Sequence, residues 1–423
     1  MQQYESYRDS GVVWLGDVPS HWEVQPLRSV TKLKADRNRP ELPVLSVYRE
    51  YGVILKDSRD DNHNATSLDT SAYKSVKPGD LVVNKMKAWQ GSMGVSPHEG
   101  IVSPAYITCA TNADRVRPAY LHYLLRSAPL IGVYNALSYG VRVGQWDMHY
   151  EDFKQIQISL PPLAEQDRVV SFLDQKTAEL DAAIAKKERL IELLQEQKSI
   201  LINQAVTRGL NHDVPMRDSG VEWIGTTPAH WSIKRAKYLF REIDERSQAG
   251  DEELLSVSHL TGVTPRSDKN NIYMFMAEDY SGSKLCRSND LVFNIMWAWM
   301  GALGVSNQVG IVSPSYGVYR QLVDGTFNSW YLEHLLRSSS YVAEYNRRST
   351  GLHSSRLRLY SNMFFDMEIA YPSRAEQDEI EYFTKEQVAL TETVISATTL
   401  EIEKLIELRA TLVASVVTGK LKA

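Results

Sequence analysis

Apolar side chains recur at heptad spacing along two long stretches of the chain. On the first stretch, steps of four and three residues alternate through Leu173, Thr177, Leu180, Ile184, Lys187, Ile191, Leu194, Lys198, Leu201 and Ala205. On the second, the same steps run through Thr384, Val388, Thr391, Ile395, Thr398, Ile402, Leu405, Arg409, Leu412 and Val416. This pattern is typical of the contact seam of a coiled coil. Glycine and proline are absent from residues 164–208 and 375–418, so we predict two long helices there, each about 60 Å long.

The segments before the two helices have a different pattern of apolar and turn-forming residues. Short β-branched and apolar runs, such as residues 81–83 and 156–160, alternate with Pro-Gly-Asp and other glycine-containing turns. This alternation is typical of short strands joined by tight turns. The fold class that we predict is therefore mixed α/β (α+β), with a domain over residues 1–163 and another over residues 212–374. The central helix belongs to a segment 164–211 and the C-terminal helix to a segment 375–423.

The chain is a tandem duplication. Residues 8–22 recur at 217–231 with an offset of 209, and the tetrapeptide Ala-Glu-Gln-Asp at residues 164–167 recurs at 375–378 with an offset of 211. Three further matches keep the same order, namely 80–96 with 290–306, 100–106 with 310–316, and 120–127 with 331–338. Five collinear matches indicate a duplicated structural unit. A single heptad seam indicates only a coiled coil or a buried helix, but two seams that each follow a matching domain indicate a spacer.

Two direct repeats joined through long helices can pack those helices antiparallel, and this arrangement gives the domains a pseudo-two-fold relation. Adding 211 to the first seam produces the second seam without a gap. Residues 190–193 also match residues 405–408, at an offset of 215. The sequence therefore leaves the mutual register of the two helices open.

The formal net charge of −5 argues against a stand-alone binder of nucleic acid, because high affinity for DNA rests mainly on neutralised phosphates. No run of about 18 apolar residues is present, and the start of the chain lacks the profile of a secretory signal, so we expect a cytoplasmic protein. The two cysteines, Cys109 and Cys286, suit a reducing compartment.

No motif of an enzyme active site is recognisable. The Gly-Lys pair at residues 419–420 lacks the surroundings of a phosphate-binding loop. A nuclease-like Glu-x-Lys at Glu196 and Lys198 lies within the heptad helix, where exposed charges are usual. The ten histidines lack metal-ligand spacing, and we expect His21 and His230, which repeat within Pro-x-His-Trp, to cap or pack.

These features resemble the specificity subunits of type I restriction-modification enzymes. The resemblance covers essentially the whole chain. It is carried by Ser-Gly-x-x-Trp-(Leu/Ile)-Gly-x-x-Pro-x-His-Trp at residues 10–22 and 219–231, by Ile-Ser-Leu-Pro-Pro-Leu-Ala-Glu-Gln at residues 158–166, and by the helix that follows. The second copy departs from the pattern at residues 371–377, where one proline and the leucine are lost, and this puts only the local loop shape in doubt.

The resemblance implies a non-catalytic subunit that reads double-stranded DNA. The two α/β domains are then target-recognition domains, and each reads one half of a bipartite, asymmetric site. The helices form a spacer that docks two modification (methyltransferase) subunits, and restriction (motor-nuclease) subunits join for cleavage. By the same resemblance, S-adenosylmethionine, ATP and Mg²⁺ are expected on the partner subunits, and neither a cofactor nor a metal is expected in this chain.

Two stretches in each domain are candidates for reading bases. At residues 84–90 and 294–300 the frame repeats while the tip side chains change. Residues 138–145 and 349–356 both contain glycine and arginine, and the first stretch also contains glutamine. Arginine and glutamine side chains suit bidentate contacts with guanine and adenine. The candidate DNA-binding residues are Lys85, Lys87, Gln90, Tyr139, Arg142, Gln145, Trp297, Arg347, Arg348, His353, Arg356 and Arg358. Core positions are expected for the repeated tryptophans Trp14, Trp22, Trp89, Trp223, Trp231 and Trp299.

Two other interpretations stay open. The first is a self-sufficient restriction or modification enzyme whose active site the known motifs do not reveal. The second is a purely structural coiled-coil scaffold. A scaffold, however, has no need of two elaborate domains in which the frame repeats and the loop tips differ.

Overall fold

The computed structural model describes residues 2–59, 66–67, 69–140, 146–268, 279–351 and 357–423. Its helices are α1 (Pro118–Leu125), α2 (Ala128–Leu137), α3 (Tyr150–Phe153), α4 (Leu163–Arg208), α5 (Ser329–Leu336), α6 (Ser339–Arg348), α7 (Ser361–Phe365) and α8 (Arg374–Val417). The two long helices, α4 and α8, begin and end within one residue of the predicted bounds, and their prediction is confirmed. Within the described ranges, none of the helices combines the length and apolar character that crossing a membrane requires.

The predicted seam is the least exposed face of both long helices. On α4, every seam residue is buried or half-buried. On α8, the same holds for every seam residue except Arg409. The heptad pattern therefore identified the packed faces correctly, because the period of a helix is a local property of the sequence.

The chain divides into two compact units, one with residues Met1–Arg189 and Thr398–Ala423 and the other with residues Leu190–Ala397. Each unit contains one segment of α4 and one segment of α8. In the first unit, Asp181 pairs with Arg409 at 2.9 Å and Lys187 pairs with Glu401. Residue numbers on α8 fall as those on α4 rise, so the helix segments run antiparallel, as predicted. In the second unit, Lys198 pairs with Glu392 in the same register.

The first unit holds a four-stranded antiparallel sheet in the order β4-β11-β8-β9 and four two-stranded pairings, β1-β2, β12-β3, β10-β7 and β5-β6. Its strands are β1 (Tyr7–Asp9), β2 (Asp17–Pro19), β3 (Glu23–Pro26), β4 (Thr31–Lys34), β5 (Leu45–Tyr48), β6 (Gly52–Leu55), β7 (Lys74–Val76), β8 (Leu81–Val83), β9 (Met93–Val95), β10 (Gly100–Val102), β11 (Ile107–Thr111) and β12 (Gln157–Leu160). Both strands predicted from apolar runs, β8 and β12, are present.

The second unit repeats this topology, with a sheet in the order β16-β23-β20-β21 and the pairings β13-β14, β15-β24, β19-β22 and β17-β18. Its strands are β13 (Met216–Asp218), β14 (Thr226–Pro228), β15 (Ser232–Arg235), β16 (Phe240–Glu242), β17 (Leu255–Ser258), β18 (Gly262–Pro265), β19 (Lys284–Cys286), β20 (Leu291–Phe293), β21 (Leu303–Val305), β22 (Gly310–Val312), β23 (Gly317–Gln321) and β24 (Glu368–Tyr371). The mixed α/β duplication with two long helices is thus confirmed.

A long-helix end completes the core of each unit. In the first unit, the buried hydroxyl of Tyr120 donates to the carbonyl of Val417, at the end of α8, over 3.2 Å. In the second unit, Tyr331 donates in the same way to the carbonyl of Val206, near the end of α4, over 3.0 Å. Each α/β domain therefore packs against the start of the helix that follows it and against the end of the other long helix.

Candidate nucleic-acid interface

A tight turn after an inner strand of each four-stranded sheet, β8 or β20, forms the first candidate stretch. After β8, the chain makes a short 3-10 helix over Ala88–Gln90, which ends at Gly91 with a φ of 85°. A Cβ on Gly91 would lie 2.8 Å from the Cδ1 of Ile131, so both the backbone and the packing of α2 require glycine. The second unit repeats the 3-10 helix over Ala298–Met300 and ends it at Gly301 with a φ of 82°.

A buried asparagine opens the turn in both units. Asn84 donates its backbone N–H to the carbonyl of Ser92 over 3.0 Å, and its own carbonyl accepts the N–H of Lys87 over 3.0 Å. Asn294 makes the equivalent bonds with Ala302 and Trp297, both over 3.0 Å. The frame is therefore the same in the two units, whatever side chains its tip carries.

The second candidate stretch meets the first in each unit. The N–H of Met148 donates to the carbonyl of Lys85 over 2.9 Å, and Tyr139 and Asp147 exchange backbone hydrogen bonds over 3.0 and 3.3 Å. The base of the 138–145 stretch is thereby fixed beside the turn. In addition, the side chain of Lys85 pairs with that of Asp147 at 3.1 Å.

The second unit repeats this junction with different side chains. The N–H of Leu359 donates to the carbonyl of Ile295 over 3.0 Å, and Thr350 and Arg358 exchange backbone hydrogen bonds over 2.9 and 3.1 Å. In each unit the described ends of the second stretch therefore lie beside the turn. Four of the candidates on these stretches lie outside the described residues, namely Arg142, Gln145, His353 and Arg356.

Aromatic rings support both turns from within. Trp89 donates its indole N–H to the carbonyl of Met86 over 3.2 Å and meets Trp146 edge to face, with 5.3 Å between ring centroids. Trp299 donates to the carbonyl of Met296 over 3.0 Å. Both indoles are half-buried and contact the turn from its edge. The predicted core positions of Trp89 and Trp299 are therefore wrong. By contrast, Trp22 and Trp231 are fully buried, as expected.

The tips of the two turns are exposed and differ in chemistry. Lys87 is exposed, Gln90 is half-buried, and Tyr139 is 58 % exposed and stacks on His149 at 4.7 Å between centroids. In the second unit, Trp297 occupies the position of Lys87 and is 50 % exposed.

Basic side chains are carried by two segments that contact the turn of the second unit, the end of α6 and the segment at residues 358–359. Arg347 and Arg348 end α6 and both pair with the buried carboxylate of Glu344, at 2.7 and 2.5 Å. Burial raises the pKa of Glu344, but hydrogen bonds from the two arginines outweigh it and hold the pKa below its usual value. Arg358 is exposed and forms no ion pair with any described residue. The equivalent positions in α2 are uncharged, so the repeat alone does not predict this cluster.

In each unit, the Pro-x-His-Trp motif at the start of the domain contacts the Ala-Glu-Gln motif at the start of the long helix that follows. The sequence did not predict this contact. The carboxylate of Glu165 accepts hydrogen bonds from His21 over 2.8 Å and from the buried Trp22 over 3.2 Å. Glu376 accepts the equivalent bonds from His230 and Trp231, over 2.8 and 3.0 Å. The signal was available, because Pro-x-His-Trp and Ala-Glu-Gln both repeat, but the sequence does not show that they touch.

The glutamine of the same Ala-Glu-Gln motif ties the helix start to a loop of the domain. Gln166 is fully buried, accepts the backbone N–H of Arg117 over 2.7 Å and donates to the carbonyl of Pro161 over 2.9 Å. Gln377 makes the equivalent contacts with Asn328 and Pro372, over 2.9 and 3.0 Å. The motif is therefore a structural lock between each domain and its helix.

Among the described residues, no group of three or more His, Cys, Asp or Glu side chains is placed to hold a metal ion. Lys198 of the nuclease-like Glu-x-Lys pairs with Glu392 across the helix seam, which is a packing role.

Comparison with known proteins finds similarity to specificity subunits of type I restriction enzymes. Residues 19–193 match the family model of the type I restriction modification DNA specificity domain. The chain is 22% identical over 239 residues to a putative type I restriction enzyme MjaX specificity subunit from Methanocaldococcus jannaschii, with 52% of each chain covered. It is 20% identical over 238 residues to the EcoKI specificity subunit from Escherichia coli, covering 53% of this chain and 48% of that one. The matches thus span about half the length of the curated relatives.

Two solved structures match almost from end to end. The first has a TM-score of 0.64 at 16% identity, and the match covers 96% of this chain and 99% of that chain. Its title reads "Structural basis underlying complex assembly and conformational transition of the type I R-M system". The HsdS subunit of Thermoanaerobacter tengcongensis has a TM-score of 0.53 at 16% identity and covers 96% and 98%. At this level of identity, the likeness establishes the fold.

Proposed function

We propose that this chain, which belongs to the HsdS family of type I restriction-modification specificity subunits, selects the DNA sites at which partner subunits act and has no catalytic centre of its own. One observation carries the proposal. In both units the same backbone frame joins the turn to the described ends of the second stretch, and the side chains at the tip of the turn differ between the units. A repeated frame with altered tips suits two readers of different DNA sequences.

Each target-recognition domain, in this proposal, reads one half of a bipartite and asymmetric site. The first unit presents Lys87 and Gln90, with Lys85 tied to Asp147. The second unit presents Trp297 in the place of Lys87 and Arg358 in the place of Asp147. Because lysine, glutamine and arginine suit different base edges from those that an indole suits, the two half-sites should differ in sequence.

The negative net charge is compatible with this role if partners supply most of the phosphate contacts. Contacts with phosphates position a protein on DNA, whereas contacts with base edges specify the sequence. A subunit of charge −5 that mainly specifies can therefore depend on basic partners for affinity. We place the complex in the cytoplasm, with S-adenosylmethionine, ATP and Mg²⁺ bound by the partner subunits.

The long helices offer surfaces on which two methyltransferase subunits can dock. Large apolar side chains stay exposed on the helix segments of both units, away from the seam. In the second unit they are Leu190, Leu193, Ile200, Tyr382, Phe383, Leu390 and Val394, and in the first unit they are Leu400, Ile406 and Leu408. Exposed apolar patches of this kind mark protein contacts in soluble proteins. Restriction subunits would join the resulting complex.

Methylome sequencing of the host with and without this chain tests the proposal. We expect a two-part methylated motif with an unread spacer to disappear when the chain is deleted and to return when it is restored. Exchanging the first target-recognition domain for that of a related chain should change one half of the motif and leave the other unchanged. A methylome that does not depend on the chain contradicts the proposal.

Incubation of the purified chain with DNA, Mg²⁺, ATP and S-adenosylmethionine tests the absence of catalysis. We expect neither cleavage nor methyl transfer until methyltransferase subunits are added. Either reaction in the chain alone would instead support a self-sufficient enzyme.

A further inference from the structure

At the tip of the second turn, apolar side chains stand at every position where the first turn has a charged or amide side chain. Lys85, Lys87 and Gln90 of the first unit correspond to Ile295, Trp297 and Met300. Of these, Ile295 is half-buried and packs on the core of the second unit. The ion pair between Lys85 and Asp147 has no counterpart, because Asp147 corresponds to Arg358.

Trp297 is the most exposed residue of the second turn. Its side chain is 50 % exposed, whereas Trp22 and Trp231 are each 1% exposed. One side of the ring is supported by Trp299, which lies nearly parallel at an angle of 15° and a centroid distance of 6.3 Å. The indole N–H of Trp297 forms no hydrogen bond with a described residue, whereas that of Trp299 is bonded to Met296. Trp297 therefore offers a supported apolar ring together with one free donor.

The turn also restricts where the ring can go. The N–H of Trp297 donates to the carbonyl of Asn294, and the carbonyl of Trp297 accepts the N–H of Met300, over 3.0 Å in both cases. The backbone that carries the exposed indole is thus fixed on both sides before any ligand binds. A preorganised contact of this kind favours recognition of one particular chemical edge.

We propose that Trp297 recognises a thymine through the major groove in the half-site read by the second unit; this inference rests on the proposed function. Thymine is the one base that presents an acceptor, O4, next to an apolar methyl group at C5. Cytosine presents a donor that an indole N–H cannot bond, while guanine and adenine present acceptors without an apolar group. The ring packs against the methyl group, and the N–H donates to O4.

Deoxyuridine substitution isolates the methyl contact, because uracil keeps O4 and lacks only the methyl group. The complex of the full chain with its methyltransferase subunits is titrated with DNA that carries the motif found by methylome sequencing. Each thymine of the second half-site is replaced by deoxyuridine, one at a time. We expect a loss of affinity of about 5- to 30-fold at one position and little change at the others.

Two variants of the chain complete the test. Trp297→Ala should bind the thymine and deoxyuridine duplexes equally, whereas Trp297→Phe should keep the preference for the methyl group and bind both duplexes more weakly. The matched control is Lys87→Ala, at the equivalent position of the first unit. This variant should keep the full sensitivity to deoxyuridine in the second half-site.

Each contrary result has a distinct meaning. Sequence-specific binding that is insensitive to every deoxyuridine substitution, or a second half-site without a T·A pair, overturns the thymine contact and leaves the proposed function intact. If Trp297→Ala loses a methyltransferase subunit by native mass spectrometry and keeps its sensitivity to deoxyuridine, Trp297 is a partner contact and the inference fails. A complex that binds DNA without sequence preference contradicts the proposed function itself.

Discussion

At the scale of single residues, two glutamates hold the architecture together. The side chain of Glu165 is 9% exposed and that of Glu376 is 25% exposed, and each accepts hydrogen bonds from a histidine and a tryptophan of its own domain. Burial raises the pKa of Glu165, but hydrogen bonds from Tyr4, His21 and Trp22 outweigh it and lower the pKa below its usual value. The ionised carboxylate is therefore the form that stabilises the first unit.

Replacing Glu165 by glutamine should destabilise the first unit by about 2 kcal/mol, since hydrogen bonds to a charged group are worth more than those to an amide. Glu376→Gln should cost less, because Glu376 is more exposed. Denaturant unfolding of the full chain measures both changes. The matched control is Glu179→Gln in the same helix, whose exposed ion pair with Lys176 should contribute far less to stability than the contacts of Glu165.

The effect of Glu165→Gln should also depend on pH. A carboxylate whose pKa is lowered by folding contributes stability above its unfolded pKa, and that contribution is lost as the pH falls through the folded value. The difference in unfolding free energy between the wild type and Glu165→Gln should therefore shrink as the pH falls below about 4.3, the ordinary pKa of glutamate. A difference that stays constant down to pH 3 would show that the lock does not depend on the charge.

Folding favours the neutral form of His122, whereas it favours the ionised form of Glu165. Burial, with repulsion from Arg126, lowers the pKa of His122 to about 4, so it stays neutral when folded, while the unfolded chain takes up a proton near pH 6.5. Stability should then fall as the pH drops from about 6.5 to about 4, by up to about 3 kcal/mol. His122→Gln should flatten this part of the pH profile in denaturant titrations. His212→Gln, in an exposed position, is the control, and an unchanged slope in His122→Gln would contradict the assignment.

At the scale of elements, local patterns were predictable and contacts between distant segments were not. The heptad positions of α4 and α8 and the strands β8 and β12 follow from spacing alone, because helices and strands have fixed periods. The register between α4 and α8 could be determined only from the ion pairs Lys187–Glu401 and Lys198–Glu392. Aligning the two copies of the repeat with each other does not predict which residues pair across the helices. The lock of Glu165 on Trp22 joins residues 143 positions apart, and only the fold brings them together.

The candidate interface follows the same division. The turn at residues 84–90 was predictable because its frame repeats while its tip varies. That Asp147 lies beside this turn, and Arg358 beside the turn of the second unit, was not predictable. These positions depend on the backbone bonds from Met148 to Lys85 and from Leu359 to Ile295. The charge near the tip in each unit therefore depends on both the turn and the segment that packs beside it, and the sequence of one of them alone does not predict this charge.

The helix segments of the two units expose unequal amounts of apolar surface. If methyltransferase subunits dock on these segments, as we propose, the two docking sites should differ in affinity. Leu390 and Val394 are exposed in the second unit, whereas the equivalent positions in the first unit are Glu179 and Ala183. The double variant Leu390→Lys, Val394→Lys should weaken the binding of one methyltransferase copy and leave a 1:1 complex. Native mass spectrometry distinguishes the 1:1 from the 2:1 complex.

Glu179→Lys is the matched control for that experiment, because it changes a position that is already charged and should leave the 2:1 complex intact. Full assembly of the double variant would place the docking surface elsewhere. Loss of both copies would indicate a single cooperative surface instead of two independent ones.

At the scale of the whole molecule, the proposed function assigns the reading of DNA to the two duplicated domains and the spacing to the paired helices. Each unit takes its core from one α/β domain, from the start of one long helix and from the end of the other. If the helices act as the proposed spacer, their length should set the unread part of the DNA site. The tips of the turns, in contrast, should set the half-sites.

Lengthening both helices by one matched heptad, after Arg189 and after Ala397, should change the spacer alone. These insertion points lie between the pairs Lys187–Glu401 and Lys198–Glu392, so both flanking registers are kept. Seven residues add about 10 Å of helix, which corresponds to about 3 base pairs of DNA. We expect the methylome motif to gain about this many unread positions while both half-sites stay the same.

A heptad inserted into α4 alone provides the control for this prediction. It shifts Lys198 and the residues after it relative to α8, which should break the pairing with Glu392 and lower the stability of the helix pair. A matched insertion that alters either half-site would mean that the helices take part in reading bases. An unchanged spacer would mean that the separation of the readers is set by the partner subunits, and the helices would then serve only as a docking platform.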